Sequence, residues 1–563
     1  MTCPSRPKHA ASRRTCVAVA VALALSFGSH VGLAADAVHA DPARLSAHVK
    51  TLGSDAFEGR GPATAGEEKT VAYLIEQMKA AGLEPGGALK NGKRGWTQDV
   101  PLAQFNIEGP IELSVSAGGQ KRALSQGKDL AVRAAATNID RVQFKDVPLV
   151  FLGYGVTAPE RKWDDYQGVD VRGKIVIVLV NDPDFETGAG AFGGRAMTYY
   201  GRWTYKYEEA ARHGALGVLV VHESAPASYG WATVENSNTN AIFDILRPKP
   251  RETHVDMEAW VQRDVAASLL KSAGLDYEQL KKQAQSNTFR AVPLKGVTMS
   301  ANYKVKHETV ISKNVVGLLA GTTHPDQTVI YTAHWDHLGI GKPDATGDRI
   351  FNGAVDNGSG LAAVLELARL FGSAPKTPRS VVFLAVTAEE KGLLGSEYYA
   401  ANPVYPLETT VADINMDSLG VHGRAKDFGT FGDNTLVDEL AAAGRAQGRT
   451  LSPDPRPEAG SFFRSDHFPL SKAGVPAVSF KPGDDLENGG TKRGAELREE
   501  YTAKKYHQPK DEWSDSLDFS GEAQDVELLY AVGRSLATSD RWPEWKVGSE
   551  FKALRDQTAS RRK

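Results

Sequence analysis

From Asn314 onward, short apolar segments alternate with helical patterns, and this alternation limits the possible folds more than any other feature of the chain. The apolar segments have few polar interruptions, which is typical of strands buried on both faces of a parallel sheet. The sequence therefore predicts an α/β fold with a mostly parallel central sheet flanked by helices. The predicted strands are 315–319, 329–332, 381–387, 411–416 and 475–480, and the predicted helices are 360–371, 435–445 and 524–537.

A second, smaller α/β pattern lies upstream of this region. Its strand-like segments are 147–156, 174–180 and 217–221, and a helical pattern covers 205–212. A chain of 563 residues is too long for one ordinary core. The sequence therefore predicts a small α/β domain at 145–300, inserted between the two parts of a larger domain at 41–144 and 301–563.

The first 34 residues have the order of an export signal: a basic segment, an apolar run at 17–25 and small residues at 33–35. The apolar run is shorter than the ~20 residues that span a bilayer. We therefore predict a signal peptide at 1–34, an exported protein that is periplasmic or secreted, and no membrane span after its removal. The Sec and twin-arginine routes both remain open.

Both cysteines of the chain, Cys3 and Cys16, lie within the predicted signal. The mature chain would then have no disulfide, thiolate ligand or cysteine nucleophile, so any metal must be held by histidine, aspartate and glutamate. Signal removal takes four basic residues and no acidic ones from totals of 66 and 69, which leaves a net charge of −7. This charge argues against a general nucleic-acid-binding protein.

Histidine and carboxylate side chains follow successive predicted strands, where ligands bind in an open α/β sheet. Taken singly, each has an ordinary structural explanation, such as a surface histidine, a solvated turn or a helix cap. Their recurrence at one edge of the predicted sheet indicates a shared site. The residues are His334 and Asp336, Asp356, the pair Glu389 and Glu390, Asp417, and Tyr506 with His507.

Two histidines and three carboxylates suit zinc, and they suffice for two ions if one carboxylate bridges them. Two ions form a clamp for hydrolysis, and a separate carboxylate then takes the proton of the attacking water. The neighbouring Glu389 and Glu390 can divide these tasks, one as ligand and one as base.

Two further segments have alternative interpretations. His337 is either a ligand or, as the sequence favours, a residue that packs or forms a hydrogen bond at the rim of the cleft. The segment 463–467 either approaches the substrate cleft or forms a capped turn with a surface histidine, His467.

The order His-x-Asp, Asp-Asn, Glu-Glu, Asp and Tyr-His, together with the upstream segment 52–60, resembles the co-catalytic dizinc aminopeptidases. Their wider clan includes glutamate carboxypeptidase and the transferrin receptor. The motifs Gly153-Tyr154-Gly155 and Val171-Arg172-Gly173-Lys174 make the predicted insertion similar to a protease-associated domain. The resemblance implies an aminopeptidase with two zinc ions that acts on peptides or proteins.

The resemblance also implies a role for each site residue. Glu389 is the general base and then the general acid, Asp336 orients His334, and Tyr506 donates a hydrogen bond to the oxyanion. The implied zinc ligands are His334 and Asp417 for the first ion, Glu390 and His507 for the second, and Asp356 as the bridge, with a cis bond to Asn357.

Related activities remain as alternatives, because the pocket and not the ligand set separates them. A carboxypeptidase or dipeptidase would use the same ions. A single-zinc glutaminyl cyclase and a non-catalytic receptor-like protein are disfavoured, because the full ligand set is intact. The 22-residue gap between His334 and Asp356 predicts a loop at the cleft rim. The sequence gives neither the side-chain preference nor the oligomeric state.

Overall fold

The computed structural model describes residues 39–562, so the predicted signal peptide at 1–34 lies outside the described residues. The first part of the chain forms two helices and five strands. The helices are α1 (Pro42–Leu52) and α2 (Ala65–Ala80), and the strands are β1 (Glu84–Pro85), β2 (Leu89–Lys90), β3 (Lys93–Arg94), β4 (Thr97–Ala117) and β5 (Gln120–Leu124).

The middle of the chain forms a small parallel sheet of β-α-β type, as the sequence predicted for residues 147–221. Strands β7, β10, β11 and β13 are parallel neighbours in that order. The elements are β6 (Leu130–Val132), β7 (Arg141–Phe151), β8 (Thr157–Ala158), β9 (Trp163–Asp164), β10 (Ile175–Leu179), α3 (Trp203–Arg212), β11 (Gly217–His222), α4 (Ser224–Ala227), α5 (Trp231–Asn238), β12 (Ile242–Ile245), β13 (Met257–Gln262), α6 (Arg263–Ser272), α7 (Tyr277–Gln283) and β14 (Val292–Leu319).

The last part of the chain contains the predicted α/β alternation. Its elements are β15 (His324–His334), β16 (Gly339–Ile340), β17 (Ile350–Phe351), α8 (Gly358–Gly372), β18 (Arg379–Val386), α9 (Leu394–Ala401), β19 (Thr410–Met416), β20 (Asp427–Phe431), α10 (Leu436–Ala446), β21 (Thr450–Leu451), α11 (His467–Lys472), β22 (Ala477–Pro482), α12 (Gly490–Lys504), α13 (Ser520–Ala537) and α14 (Lys552–Gln557).

The central sheet of this last part is parallel only in its middle. Strands β22, β19, β15 and β18 are parallel neighbours, whereas β20 and β14 run antiparallel at the two sides. The mixed α/β fold with a large sheet between helices is confirmed. The segment 315–319 is antiparallel because it is the end of β14, which returns from the middle part as one 28-residue strand.

Two large hydrophobic cores lie in different parts of the described chain. One core joins α1, α2, α8 and α13 to the parallel strands of the last part. A second core, beneath the middle sheet, also takes in Phe105, Leu113 and Val115 from β4. Residues 105–115 of β4 therefore pack with residues of the middle sheet. The domain limits drawn from the sequence stay a prediction. No helix within 39–562 has the length and apolar character needed to cross a bilayer.

Helix α13 packs so closely on the sheet that one of its glycines has no room for a side chain. The hydroxyl of Tyr331 in β15 donates to the carbonyl of Leu529 at 2.7 Å, and a Cβ on Gly533 would lie 1.7 Å from that hydroxyl oxygen. We expect Gly533→Ala to lower the free energy of unfolding by about 1–3 kcal/mol through overpacking, despite its better helix propensity.

Urea denaturation monitored by circular dichroism measures this change. Gly95→Ala is the matched control, because only one atom lies near its Cβ position, at 3.9 Å. Equal stabilities of the two variants would show that α13 does not approach the sheet this closely.

Candidate metal centre

The carboxyl ends of the parallel strands bring the predicted ligands together. His334 is the last residue of β15, and Asp417 directly follows β19. Glu389 and Glu390 form a 3-10 turn just after β18. Asp356 precedes α8, and its bond to Asn357 is cis. Because parallel strands end at the same edge of a sheet, these side chains converge although up to 83 residues separate them.

One group of ligand atoms surrounds His334. Its Nε2 atom lies 3.4 Å from Asp356 Oδ1, 3.6 Å from Asp417 Oδ1 and 3.9 Å from Glu389 Oε2. Ligand atoms of His334, Asp356 and Asp417 lie within 4.8 Å of one another, which is compact enough for one metal ion. These three residues are the predicted holders of the first zinc and its bridge.

A second group lies on the other side of Asp356. His507 Nε2 is 3.3 Å from Asp356 Oδ2 and 3.0 Å from Glu390 Oε2. Asp356 therefore directs one oxygen to each group, as a bridging ligand must. His337 Nδ1 lies 2.6 Å from Glu390 Oε1, and His337, Asp356 and Glu390 also form a compact potential metal group.

The position of His337 differs from the favoured sequence interpretation. Its side chain is fully buried beside Glu390 and lies 5.7 Å from the ring of His507, measured between centroids. The residue is thus inside the site and not at its rim. The short His-x-x-His spacing was the only sequence signal for this position.

Several buried atoms of the two groups have no hydrogen-bond partner among residues 39–562. They are His334 Nε2, both ring nitrogens of His337 and Glu390 Oε1. Buried polar atoms are normally paired. His337 Nδ1 and Glu390 Oε1 lie 2.6 Å apart without hydrogen-bond geometry. Ligand atoms of one cation are arranged in this way, because each points toward the cation. The donor set of imidazole and carboxylate, without thiolate, fits zinc.

The electrostatics of the site also favour a cation. Burial alone would lower the pKa of His334, but Glu389, Asp356 and Asp417 raise it well above its usual range. Burial similarly opposes protonation of His507, but Glu390 and Asp356 raise its pKa to about 9. Imidazoles are driven toward protonation here because the carboxylates create a strong negative potential, which divalent cations would neutralise.

Asp336 supports the site in a way that the sequence did not predict. The nearest atom of Asp336 to His334 Nδ1 is its backbone oxygen, at 3.1 Å, whereas its carboxylate Oδ1 is 3.8 Å away. The carboxylate instead accepts the backbone N–H groups of Glu389 at 3.0 Å and Glu390 at 3.3 Å. Asp336 therefore holds the glutamate turn with its side chain and orients His334 with its main chain.

Tyr506 faces the cleft next to the second group. Its ring lies over that of His507, with 3.9 Å between centroids. Arg464 donates from Nη2 to the Tyr506 hydroxyl at 3.2 Å and from Nη1 to Ser228 Oγ at 3.1 Å. Arg464 was named in the sequence only as part of an ambiguous segment, and the structure places it at the site.

The rest of segment 463–467 also supports the site. Ser465 Oγ donates to Asp417 Oδ2 at 2.8 Å, which fixes the carboxylate that faces His334. His467 is fully buried, so the alternative of a capped turn with a surface histidine is wrong.

Arg60 is a buried residue whose function no single-residue pattern indicated. Its guanidinium donates to four backbone carbonyls at 2.6–2.9 Å, which belong to Leu52, Trp335, Asn352 and Gly353. Burial lowers its pKa to about 10, and the nearby Asp356 opposes that shift. The residue remains a cation that ties together the loops carrying His334 and Asp356.

Two cavities meet at the glutamate turn. The larger, about 570 Å³, extends past Asp417 along the last part of the chain. The smaller, about 370 Å³, has a wall built from residues of 199–258. Both are lined by Glu389, Arg464, Tyr506, His507 and Tyr229. A substrate that crosses the site therefore has space on both sides of Glu389.

Residues 314–530 match the model of peptidase family M28. The last part of the chain is thus similar to the peptidases of family M28. The matched segment, which runs from the end of β14 into α13, contains all residues of both ligand groups. The matched segment does not include the strands β6, β7, β10, β11 and β13 of the middle sheet.

Known proteins resemble this chain over different lengths. It is 29% identical over 439 residues to aminopeptidase YwaD of Bacillus subtilis, which covers 77% of this chain and 74% of that protein. It is 37% identical over 113 residues to a probable zinc metalloprotease of Pyrenophora teres f. teres, covering 20% of this chain and only 23% of that protein.

A solved structure has the same fold. The aminopeptidase from Aneurinibacillus sp. strain AM-1 aligns with a TM-score of 0.53 and 19% identity, over 89% of this chain and 95% of that one.

The role of Arg60 can be tested by stability. Replacing it in Arg60→Leu leaves four buried carbonyls unpaired and the carboxylates without their nearest fixed cation. We expect the free energy of unfolding to fall by about 3–5 kcal/mol. Arg172→Leu is the control, because its pair with Asp170 is exposed and contributes little. Chemical denaturation of both variants compares them, and an Arg60→Leu protein as stable as the control would contradict this role.

Proposed function

We propose that this protein is a zinc-dependent aminopeptidase of peptidase family M28 that uses two zinc ions. The observation that carries the proposal is the position of Asp356, whose two carboxylate oxygens face His334 and His507 separately. One shared carboxylate between two imidazole-containing groups is the arrangement that a pair of ions requires. The similarity to aminopeptidase YwaD supports the activity, and the similarity to the probable zinc metalloprotease of Pyrenophora teres f. teres supports the metal.

His334 and Asp417 would hold the first zinc, and Glu390 and His507 the second, with Asp356 between them. When bound, the two ions polarise the substrate carbonyl and acidify water. His337 lies against Glu390 at the second position, where it adds a further imidazole to the donor set. Asp336 and Ser465 keep the glutamate turn and Asp417 in place.

Glu389 is suited to proton transfer. It lies farther from His334 Nε2 than Asp356 or Asp417 does, so it is free of the tightest ligand group. Burial raises the pKa of its carboxyl well above the usual range, and the neighbouring Glu390 raises it further, although His334 opposes the shift. A carboxyl that retains protons more readily serves as general base for water and then as acid for the leaving amine.

Tyr506 would stabilise the oxyanion of the tetrahedral intermediate. Its hydroxyl lines both cavities and contacts the guanidinium of Arg464. Because Arg464 approaches the phenol oxygen as a donor, the hydroxyl hydrogen remains available to the developing negative charge.

A carboxypeptidase or dipeptidase of the same clan is the second candidate. The larger cavity is lined by Arg456, Arg464 and Lys481, and such cations could receive a free substrate carboxylate. Export is part of the proposal too, since the predicted signal at 1–34 would direct the mature enzyme to the periplasm or the exterior.

The neighbouring glutamates provide the sharpest test of the mechanism. We expect two zinc ions per chain in the active enzyme, and loss of activity with a chelator that added zinc restores. Glu389→Gln should keep both ions while kcat falls by about 10²–10⁴-fold and KM changes little, because the lost group acts in the transition state. Glu390→Ala should instead lose the second ion.

Elemental analysis and steady-state kinetics on both variants make the comparison, and each variant serves as control for the other. Loss of zinc from Glu389→Gln with retention in Glu390→Ala would reverse the two assignments. Active wild-type enzyme without bound metal would refute the dizinc proposal.

The substrate terminus that the enzyme recognises is tested with three forms of one dipeptide: unblocked, amino-terminally acetylated and carboxyl-terminally amidated. An aminopeptidase should cleave the unblocked and amidated peptides and reject the acetylated one, because only acetylation removes the free amine. Mass spectrometry identifies the released residue. Cleavage of the acetylated peptide with rejection of the amidated one would establish the carboxypeptidase alternative, and rejection of both blocked peptides would establish a dipeptidase.

A further inference from the structure

Helix α5 of the middle part directly contacts the loop that carries His507. Ser237 Oγ lies 2.8 Å from His507 Nδ1. Asn236 Nδ2 donates to the backbone carbonyl of His507 at 2.9 Å, and Thr233 Oγ1 lies 3.4 Å from the carbonyl of Tyr506. Side chains from three positions of one helix therefore reach two consecutive residues of the site, about 270 positions later in the chain.

The contact with Ser237 determines how His507 presents its ring. The hydroxyl oxygen can accept the Nδ1 proton, which leaves the Nε2 lone pair free on the side of Asp356 and Glu390. A partner on the other ring nitrogen of a metal-binding histidine fixes its tautomer and its orientation. For His507 that partner comes from α5 and not from the segment matched to family M28.

The backbone of His507 also depends on outside support. Its φ angle is 54°, in the left-handed region that residues with a side chain rarely adopt. A residue remains in such a conformation when its surroundings determine it. The hydrogen bond from Asn236 to the His507 carbonyl helps to hold the backbone in this conformation.

Helix α5 is itself firmly attached to the middle part of the chain. Trp231 Nε1 donates to the carbonyl of Gly127 at 2.6 Å, and Arg133 Nη1 donates to Asn238 Oδ1 at 3.1 Å. Val234 is buried in the core on the other face of the middle sheet. The face of α5 that carries Ser237 is thus held rigidly against the site by contacts on its opposite face.

We propose that Ser237 is a positioning residue for His507, and that α5 thereby makes the middle part of the chain a structural component of the second metal position. The proposal rests on the proposed dizinc function. It differs from a role as a lid or substrate guide, because it predicts an effect on metal binding with no substrate present.

Zinc titration of the metal-free, full-length protein, in competition with a chelator of known affinity, tests the proposal. We expect Ser237→Ala to weaken the second zinc by about 10–100-fold and to leave the first unchanged. Ser237→Thr, which keeps the hydroxyl, should restore most of the affinity. Thr239→Ala is the matched control, because Thr239 Oγ1 donates only to the carbonyl of Glu235 within the same helix region.

The outcomes separate this inference from the proposed function. Wild-type protein that binds fewer than two zinc ions would refute the dizinc function itself. If wild type binds two ions and Ser237→Ala binds both equally well, only the role of Ser237 is refuted. An equal weakening in Thr239→Ala, or no recovery in Ser237→Thr, would also overturn it, since the effect would then be a general disturbance of the helix.

Discussion

The buried guanidinium of Arg60 is the interaction on which the rest of the site depends. The site gathers the buried carboxylates of Asp336, Asp356, Glu390 and Asp511 around Arg60, where like charges repel strongly. Arg60 is the fixed cation among them, and all four of these carboxylates oppose the lowering of its pKa by burial. Its bonds to four carbonyls also shape the loops that lead to Asp336 and Asp356. One side chain thus provides both the counter-charge and the backbone geometry.

Two other carboxylates each accept hydrogen bonds from two backbone N–H groups near the candidate ligands. Asp511 accepts the N–H groups of Val355 and Asp356 at 3.1 and 3.0 Å, so the bridging residue is held from behind. Asp336 holds the glutamate turn in a similar manner. Carboxylates outside the two ligand groups therefore fix the backbone beneath the carboxylates within them, which keeps the candidate ligand atoms converged.

Most of the ligand set could be predicted from the sequence because it obeys a local rule. His334, Glu390 and Asp417 each lie at or just after the end of an apolar strand, and parallel strands place their ends together. The functions of Arg60 and Ser237 could not be predicted, because their partners are 275 and 270 residues away and no periodic pattern encodes such contacts. The antiparallel direction of 315–319 was missed for a related reason, since only the full course of β14 shows it.

Strand β14 gives the molecule a mechanical property. It pairs with β4 from Val297 to Val315 and then continues into the sheet beside β18. The two cores are therefore joined by a hydrogen-bonded ribbon and not by a flexible tether. Relative motion of the two parts must occur by bending or twisting this ribbon, which restricts its amplitude and direction. Cutting the chain within β14 would expose the edge of β4, a surface on which other chains can add strands.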